Sequence, residues 1–320
     1  EPSVLRGERP VMTGLRSSRD KERLAARLAR KFGIEIDARD GLEVLEDLHR
    51  KGIDAVPSIS AFYRLRHHRG AGATTPPILA LGGISNKVTV FCNEGGQYVS
   101  YEADEHGFRN PKALWRSGRL DVAAVGDSFT QGYCVPSGRH FVDILRERYP
   151  STLNLGMAGN GPLLMLATLR EYVAPFRPPL VLWCYFEGND LLELKDEREN
   201  AVLMRYLDRG FTQELVRRQD EVDRRLAEFV DMERATYMAL RQGGGKQTTV
   251  APEVWDFMRL SVLRRRLSLV VAEGAVDGRI EPELKAEVAL FRQVLSEAKA
   301  NVESWGGSLY FVYLPDWARY

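Results

Sequence analysis

Histidine, cysteine and long apolar runs are scarce in this chain. Its 320 residues include five histidines and three cysteines, and none of them shows the CxxC or cysteine–histidine spacing of a zinc site. No apolar run approaches the ~20 residues that a membrane-spanning helix needs. The longest run, residues 180–186, is typical of a buried strand instead.

The three cysteines, Cys92, Cys134 and Cys184, are an odd number. We interpret each of them as a small, buried, apolar residue. A single disulfide is the alternative that the sequence leaves open. Cysteine content therefore does not fix the cellular compartment.

An excess of charge of one sign is also missing. Lys and Arg number 45 and Asp and Glu number 44, so the basic surplus typical of nucleic-acid binding is absent. The hydrophobic fraction of 44% and the charged fraction of 28% are typical of a globular protein with a sizeable core. We therefore expect no nucleic-acid partner.

Glycine patterns of nucleotide sites are missing as well. The run Gly-Met-Ala-Gly-Asn-Gly at 156–161 has the wrong spacing for a dinucleotide fingerprint, and no Gly-Lys-Ser/Thr phosphate loop occurs. The run Gly-Asp-Ser-Phe-Thr at 126–130 lacks the second glycine of a Gly-x-Ser-x-Gly elbow. We expect neither a cofactor nor a metal.

Residues 1–118 are predicted to form an N-terminal extension that packs on a core. Leucines at helical spacing predict helices within 18–54. A loop-rich stretch over 64–83 follows. The β-prone runs 88–91 and 97–101 flank the turn sequence Asn-Glu-Gly-Gly, which predicts a hairpin.

Residues 119–320 have the pattern of an α/β domain, in which strands alternate with helices. The predicted elements, in chain order, are a strand over 121–125, a helix over 141–149, a strand over 152–155, a helix over 163–173 and a strand over 180–186. Such alternation with short loops predicts a doubly wound, mostly parallel sheet with right-handed crossovers.

A long helical insertion is predicted over 191–306. It contains a flexible break at 242–246 and helical patterns near 254–271 and 283–304. An apolar run over 309–314 then predicts the last strand of the sheet.

Three short polar motifs follow the three strands of the α/β pattern. They are Gly126-Asp127-Ser128, the run 154–160, and Gly188-Asn189-Asp190. Open α/β sheets bind ligands beyond the carboxyl ends of their strands, so these motifs are expected to share one site. A hydroxyl beside hydrogen-bond donors is what acyl transfer needs. Structural alternatives stay open, because a serine or asparagine there can cap a helix and a glycine can serve a left-handed turn.

In this order the three motifs resemble the SGNH/GDSL hydrolase superfamily, over about residues 119–190. The resemblance implies a three-layer, flavodoxin-like fold and makes Ser128 the nucleophile. The backbone N–H groups of Ser128 and Gly159 and the side-chain amide of Asn189 would form the oxyanion hole. Five further residues would support the site, with Asp127 orienting the turn: Gly126, Asp127, Asn154, Gly188 and Asp190.

The sequence departs from this family in its general base. The family supplies the base from an Asp-x-x-His motif near the C-terminus, and no such motif follows Ser128. The one downstream histidine, His140, we interpret as a surface or packing residue. We therefore expect the catalytic Asp and His to lie beyond Tyr320, which would make 119–320 a truncated domain.

The segment Gly107-Phe108-Arg109 resembles one that precedes the serine motif in bacterial members linked to cell-surface polysaccharide. This resemblance implies a serine esterase acting on acyl esters of carbohydrate or other cell-surface substrates, with acetyl esters favoured, through an acyl-enzyme. It also favours the cell envelope as location and is compatible with a membrane anchor outside this chain. Acyl transfer to polysaccharide hydroxyls, and carbohydrate binding or assembly without catalysis, are the alternatives.

Overall fold

The computed structural model describes residues 37–67, 78–93, 96–242 and 285–316, together with 26, 29, 30 and 33. The helix predicted at 254–271 and residues 243–246 of the predicted break lie outside the described residues. Most of the helix predicted around residues 24–32 lies outside them too.

The N-terminal part begins with helix α1, Gly41–Arg50. Asp40 and Glu43 form a capping box at its start, because the Glu43 N–H donates to Asp40 Oδ1 at 2.9 Å and the Asp40 N–H donates to Glu43 Oε2 at 2.8 Å. The leucines of the second predicted helix face inward, and Leu42 and Leu45 are buried.

A small sheet follows, built from β1 (Ala55–Pro57), β2 (Val88–Cys92) and β3 (Val99–Glu102). Strands β2 and β3 pair antiparallel, which confirms the predicted hairpin, and β1 pairs parallel with β2. Strand β1 and helix α2 (Ala61–His67) were not predicted. Both are too short to show a periodic pattern, and α2 occupies part of the predicted loop 64–83.

The main sheet has four parallel strands: β4 (Val122–Gly126), β5 (Thr152–Gly156), β6 (Leu180–Phe186) and β7 (Ser308–Leu314). Their order is β5-β4-β6-β7, so the first strand of the sheet lies between the second and the third. This order is that of a doubly wound sheet. The predicted α/β fold is thereby confirmed.

The helices around this sheet are α3 (Ser128–Gln131), α4 (Phe141–Arg148), α5 (Pro162–Thr168, continued by a π-helical turn), α6 (Asp190–Glu197), α7 (Ala201–Met204), α8 (Gln219–Gln242) and α9 (Lys285–Glu303). The regular elements of 191–306 within the described residues are thus helical. Helix α9 packs on β7, α5 and α6 and leads directly into β7. None of the described helices is long and apolar enough to cross a membrane.

Helix α5 is the centre of the core. All of its residues, Pro162–Thr168, are buried. The helix contacts β4 on one side and α6, α7 and α9 on the other. A helix that is apolar all round is expected in such a position between two layers.

A disulfide joins Cys92, at the end of β2, to Cys134, in the loop after α3, with a Cα–Cα distance of 5.4 Å. Cys184 is free and buried. The interpretation of all three cysteines as unpaired apolar residues was therefore wrong for two of them. The partners are 42 residues apart in the sequence, and spacing alone does not reveal that the end of β2 meets the loop after α3.

The disulfide predicts a thiol count. Denatured protein without reductant should expose one thiol to alkylation, that of Cys184, and three after reduction. Replacing Cys92 and Cys134 together with alanine should lower the free energy of unfolding by roughly 4 kcal/mol, as the loop-entropy relation gives for a loop of this length. Cys184→Ala is the control for loss of one buried sulfur. Three reactive thiols before reduction would contradict the pairing.

Candidate active site

The turn between β4 and α3 presents Ser128. Gly126 ends the strand, and a Cβ at this position would meet the Thr130 side chain and lie 3.1 Å from Cys184 Cβ. Asp127 is fully buried and caps α3, because its Oδ1 accepts from the Phe129 N–H at 2.9 Å. The Oγ of Ser128 lies 3.5 Å from Asp127 Oδ2, and Ser128 itself is half-buried.

Asn154, in β5, ties the end of its strand to α3. Its Nδ2 donates to Thr130 O at 2.8 Å, and its Oδ1 accepts from the Gly156 N–H at 3.0 Å. The fully buried amide therefore satisfies backbone groups on both elements. It supports the turn that carries Ser128 without facing solvent.

The turn after β5 presents Gly159. The N–H of Met157 donates to Gly126 O at 3.2 Å, and the N–H of Asn160 donates to Met157 O at 3.0 Å. Ala158 donates its N–H to the Gln131 side chain at 2.8 Å. Among the described residues nothing accepts from the N–H of Gly159, which is half-buried. This N–H is thus open to a ligand.

Gly159 also meets a steric requirement. Its φ is +77°, a conformation that favours glycine. A Cβ there would lie 2.7 Å from Cδ1 of Phe62, in α2. The N-terminal part of the chain therefore reaches the site and forms its wall beside Gly159.

Asn189 lies at the end of β6. Its Nδ2 donates to Glu193 Oε1 at 2.7 Å, and its side chain does not cap α6. Because an amide carries two hydrogens on Nδ2, one of them remains for another acceptor. Gly188 leaves room for the Phe186 ring, since a Cβ would lie 2.7 Å from Phe186 Cζ.

The register of the sheet sets the three motifs along one edge. Gly126 is opposite Gly156, and Val125 is opposite Trp183, so β4, β5 and β6 end at the same side. At that edge the three predicted reactive groups, on Ser128, Gly159 and Asn189, are partly exposed. Their neighbours Asp127, Asn160 and Asp190 are buried. The sheet thus brings the three motifs to one edge, where these three residues are partly exposed.

Buried carboxyl groups underlie this edge. Burial, and then the charges of Asp127 and Glu193, raise the pKa of Asp190 to about 10, so Asp190 is neutral at pH 7. Its Oδ2 accepts from the Phe186 N–H at 3.0 Å. Burial also raises the pKa of Asp127 to about 6 and that of Glu197 to about 8.

The histidine side chains that the structure describes bond to groups other than Ser128. His140 Nε2 lies 2.9 Å from Asp143 Oδ2, His106 Nδ1 lies 2.9 Å from Gln219 Oε1, and His49 Nε2 lies 2.7 Å from Ala55 O. His140 is buried, so its interpretation as a packing residue holds and that as a surface residue was wrong. Burial, and then the charge of Arg109, lower its pKa to about 4.

Three contributors to the site were not predicted from the sequence: Gln131, Tyr101, whose hydroxyl accepts from Gln131 Nε2 at 3.2 Å, and Glu197. Glu197 accepts from the N–H groups of Gly161 and Leu163, at 2.7 and 2.8 Å, and so fixes the start of α5 behind the Gly159 turn. No local pattern marks these residues, because their partners come from distant segments.

No group of His, Cys, Asp and Glu in the described part of the chain could hold a metal ion.

Comparisons with known proteins add little to this geometry. No family model and no curated protein matches the chain. Among solved structures, a crystal structure of TesA is similar at 17% sequence identity and a TM-score of 0.21, covering 57% of this chain and 99% of the TesA chain. A similarity at this TM-score supports no argument. The fold assignment therefore depends on the strand order, and the candidate site depends on the contacts described above.

The raised pKa of Asp190 predicts a pH dependence of stability. Between about pH 4 and pH 10 the folded chain holds a proton on Asp190 that the unfolded chain releases, so this group lowers stability as pH rises through that window. Asp190→Asn should therefore raise the melting temperature at pH 8–9 by several degrees, and by less at pH 5. Asp231→Asn, on an exposed position of α8, is the control. An equal shift at both pH values would contradict the protonated state.

Proposed function

We propose that this chain is a serine esterase of the SGNH/GDSL type, with Ser128 as its nucleophile. The observation that carries the proposal is the open N–H of Gly159 at the edge where Ser128 is partly exposed. The other N–H groups of the Gly159 turn are bonded, so the turn leaves one donor for a ligand. A preorganised donor beside a hydroxyl is the requirement of acyl transfer.

In the proposed reaction, Ser128 Oγ attacks the ester carbonyl and loses its proton to a general base. The carbonyl oxygen becomes an oxyanion, which accepts hydrogen bonds from the N–H groups of Ser128 and Gly159 and from Asn189 Nδ2. The alcohol leaves with a proton from the base, and water then releases the acyl group from Ser128 by the same steps in reverse order. Asp127 caps the helix and takes no proton in this scheme.

The same proposal includes the general base for Ser128. This base is a histidine that an aspartate orients, and both lie outside the described residues. Three described imidazoles are held by Asp143, Gln219 and Ala55. Proton transfer requires hydrogen-bond reach of the serine, which these contacts do not give.

The proposed substrates are acyl esters, mainly acetyl esters, of carbohydrate in the cell envelope. The disulfide between Cys92 and Cys134 favours an oxidising compartment and so supports a location outside the cytoplasm. The Gly-Phe-Arg segment supports the substrate only by resemblance. Its Arg109 is buried and donates to the carbonyls of Gly132 and Val135, so it is not available to a sugar.

A second candidate is carbohydrate binding or assembly without catalysis. The observation that favours it is that each described histidine side chain bonds to a group other than Ser128. The two candidates differ in turnover, since a binding protein has none that depends on the Ser128 hydroxyl.

Ser128→Ala in the complete protein tests the proposal. Hydrolysis of p-nitrophenyl acetate should fall by at least about 1000-fold, because the acyl-enzyme no longer forms. Ser117→Ala, at an exposed serine whose Oγ donates to Arg119 O, is the matched control and should retain full activity. Undiminished turnover in Ser128→Ala would reject the assignment.

Product analysis with an acetyl donor and an oligosaccharide acceptor then separates the two acyl-enzyme reactions. Free acetate as the main product indicates a hydrolase. An acetylated oligosaccharide indicates an O-acyltransferase, with the same nucleophile and a different acceptor.

A further inference from the structure

The side chain of Gln131 connects the two elements that carry the proposed oxyanion donors. Gln131 is the last residue of α3, the helix that begins at Ser128, and it is fully buried. Its Oε1 accepts from the Ala158 N–H at 2.8 Å, and Ala158 precedes Gly159. One side chain thus spans from the nucleophile helix to the Gly159 turn.

The Nε2 end of this amide is held by the N-terminal part. Gln131 Nε2 donates to the hydroxyl of Tyr101, in β3, at 3.2 Å, and Met157 Sδ lies 3.6 Å away. Tyr101 is itself buried. The Ala158 N–H can only donate, so it requires the carbonyl end of the amide, and the Tyr101 hydroxyl then accepts from Nε2.

The hydrogen bond from Ala158 to Gln131 fixes the middle of the Gly159 turn. Met157 is held by Gly126 O and Asn160 by Met157 O, so the two ends of the turn are bonded to backbone. Ala158 is buried and its N–H is held by Gln131. Without that acceptor the Ala158 N–H would be buried and unsatisfied. Rotation of the turn would let the Ala158 N–H find another partner, and it would also move the N–H of Gly159.

We propose that Gln131, oriented by Tyr101, is a positioning residue that sets the Gly159 N–H relative to Ser128. Gln131 touches no substrate in this arrangement and acts through Ala158. The proposal rests on the esterase function proposed for Ser128. It assigns a role in the reaction to the N-terminal hairpin, whose Tyr101 lies outside the α/β domain.

The test is the kinetics of Gln131→Leu in the complete protein, with p-nitrophenyl acetate as substrate. We expect kcat to fall about 10- to 100-fold with KM nearly unchanged, because an oxyanion donor acts mainly in the transition state. Gln131→Glu keeps an acceptor for the Ala158 N–H and should recover most of kcat. Tyr101→Phe removes the hydroxyl that orients the amide and should give an intermediate loss.

Gln213 provides a matched control. Its Oε1 accepts from the Leu79 N–H at 2.8 Å and its Nε2 donates to Tyr206 Oη at 2.7 Å, so it makes the same pair of contacts away from the site. Gln213→Leu should lower the melting temperature as Gln131→Leu does while leaving kcat unchanged. Equal losses of kcat in the two variants would reduce Gln131 to a purely structural role and overturn the proposal.

The remaining outcomes separate the two proposals. If turnover depends on Ser128 and Gln131→Leu retains kcat, the positioning role is wrong and the esterase function stands. If Ser128→Ala retains turnover, the esterase function itself is wrong. Should Gln131→Leu not fold, Tyr101→Phe decides: a lowered kcat at unchanged KM supports the role of Gln131, and an unchanged kcat rejects it.

Discussion

The packing of α3 against the end of β5 is the constraint on which the candidate site depends. A Cβ at Gly156 would lie 2.6 Å from the carbonyl carbon of Thr130. The helix can approach the strand this closely only because glycine carries no Cβ. The same approach lets Asn154 bond Thr130 O and lets Gln131 bond the Ala158 N–H. These contacts hold Ser128 and the Gly159 turn in a fixed relation.

The N-terminal part holds the same turn from the other side. The buried carboxylate of Asp104 accepts four hydrogen bonds, among them one from Asn110 at 2.7 Å, and Asn110 in turn donates to Asn154 O at 2.9 Å. Arg109 donates to Gly132 O at 2.8 Å, and the disulfide anchors Cys134 just beyond. Buried groups with satisfied hydrogen bonds of this kind rigidify a structure. The N-terminal part is thus a framework of the site as well as an addition to the sheet.

The sequence predicted what depends on local pattern. The four core strands, over 122–126, 152–156, 180–186 and 308–314, lie within one or two residues of the predicted bounds, because apolar runs between turn residues are a local signal. It did not predict the disulfide, Gln131 or Glu197, whose partners come from distant segments. It also left open how Asn189 is used: its amide donates to Glu193, a contact that follows from helix geometry and not from the motif.

Covalent modification by a fluorophosphonate tests Ser128 as the nucleophile most directly. Such a reagent phosphonylates a serine whose hydroxyl is activated and whose neighbours stabilise the oxyanion, the two properties proposed for Ser128. Peptide mass spectrometry of the complete protein after exposure to the reagent should locate a single adduct, on Ser128. An adduct on another residue, or no adduct while the folded protein hydrolyses esters, would contradict the assignment of Ser128.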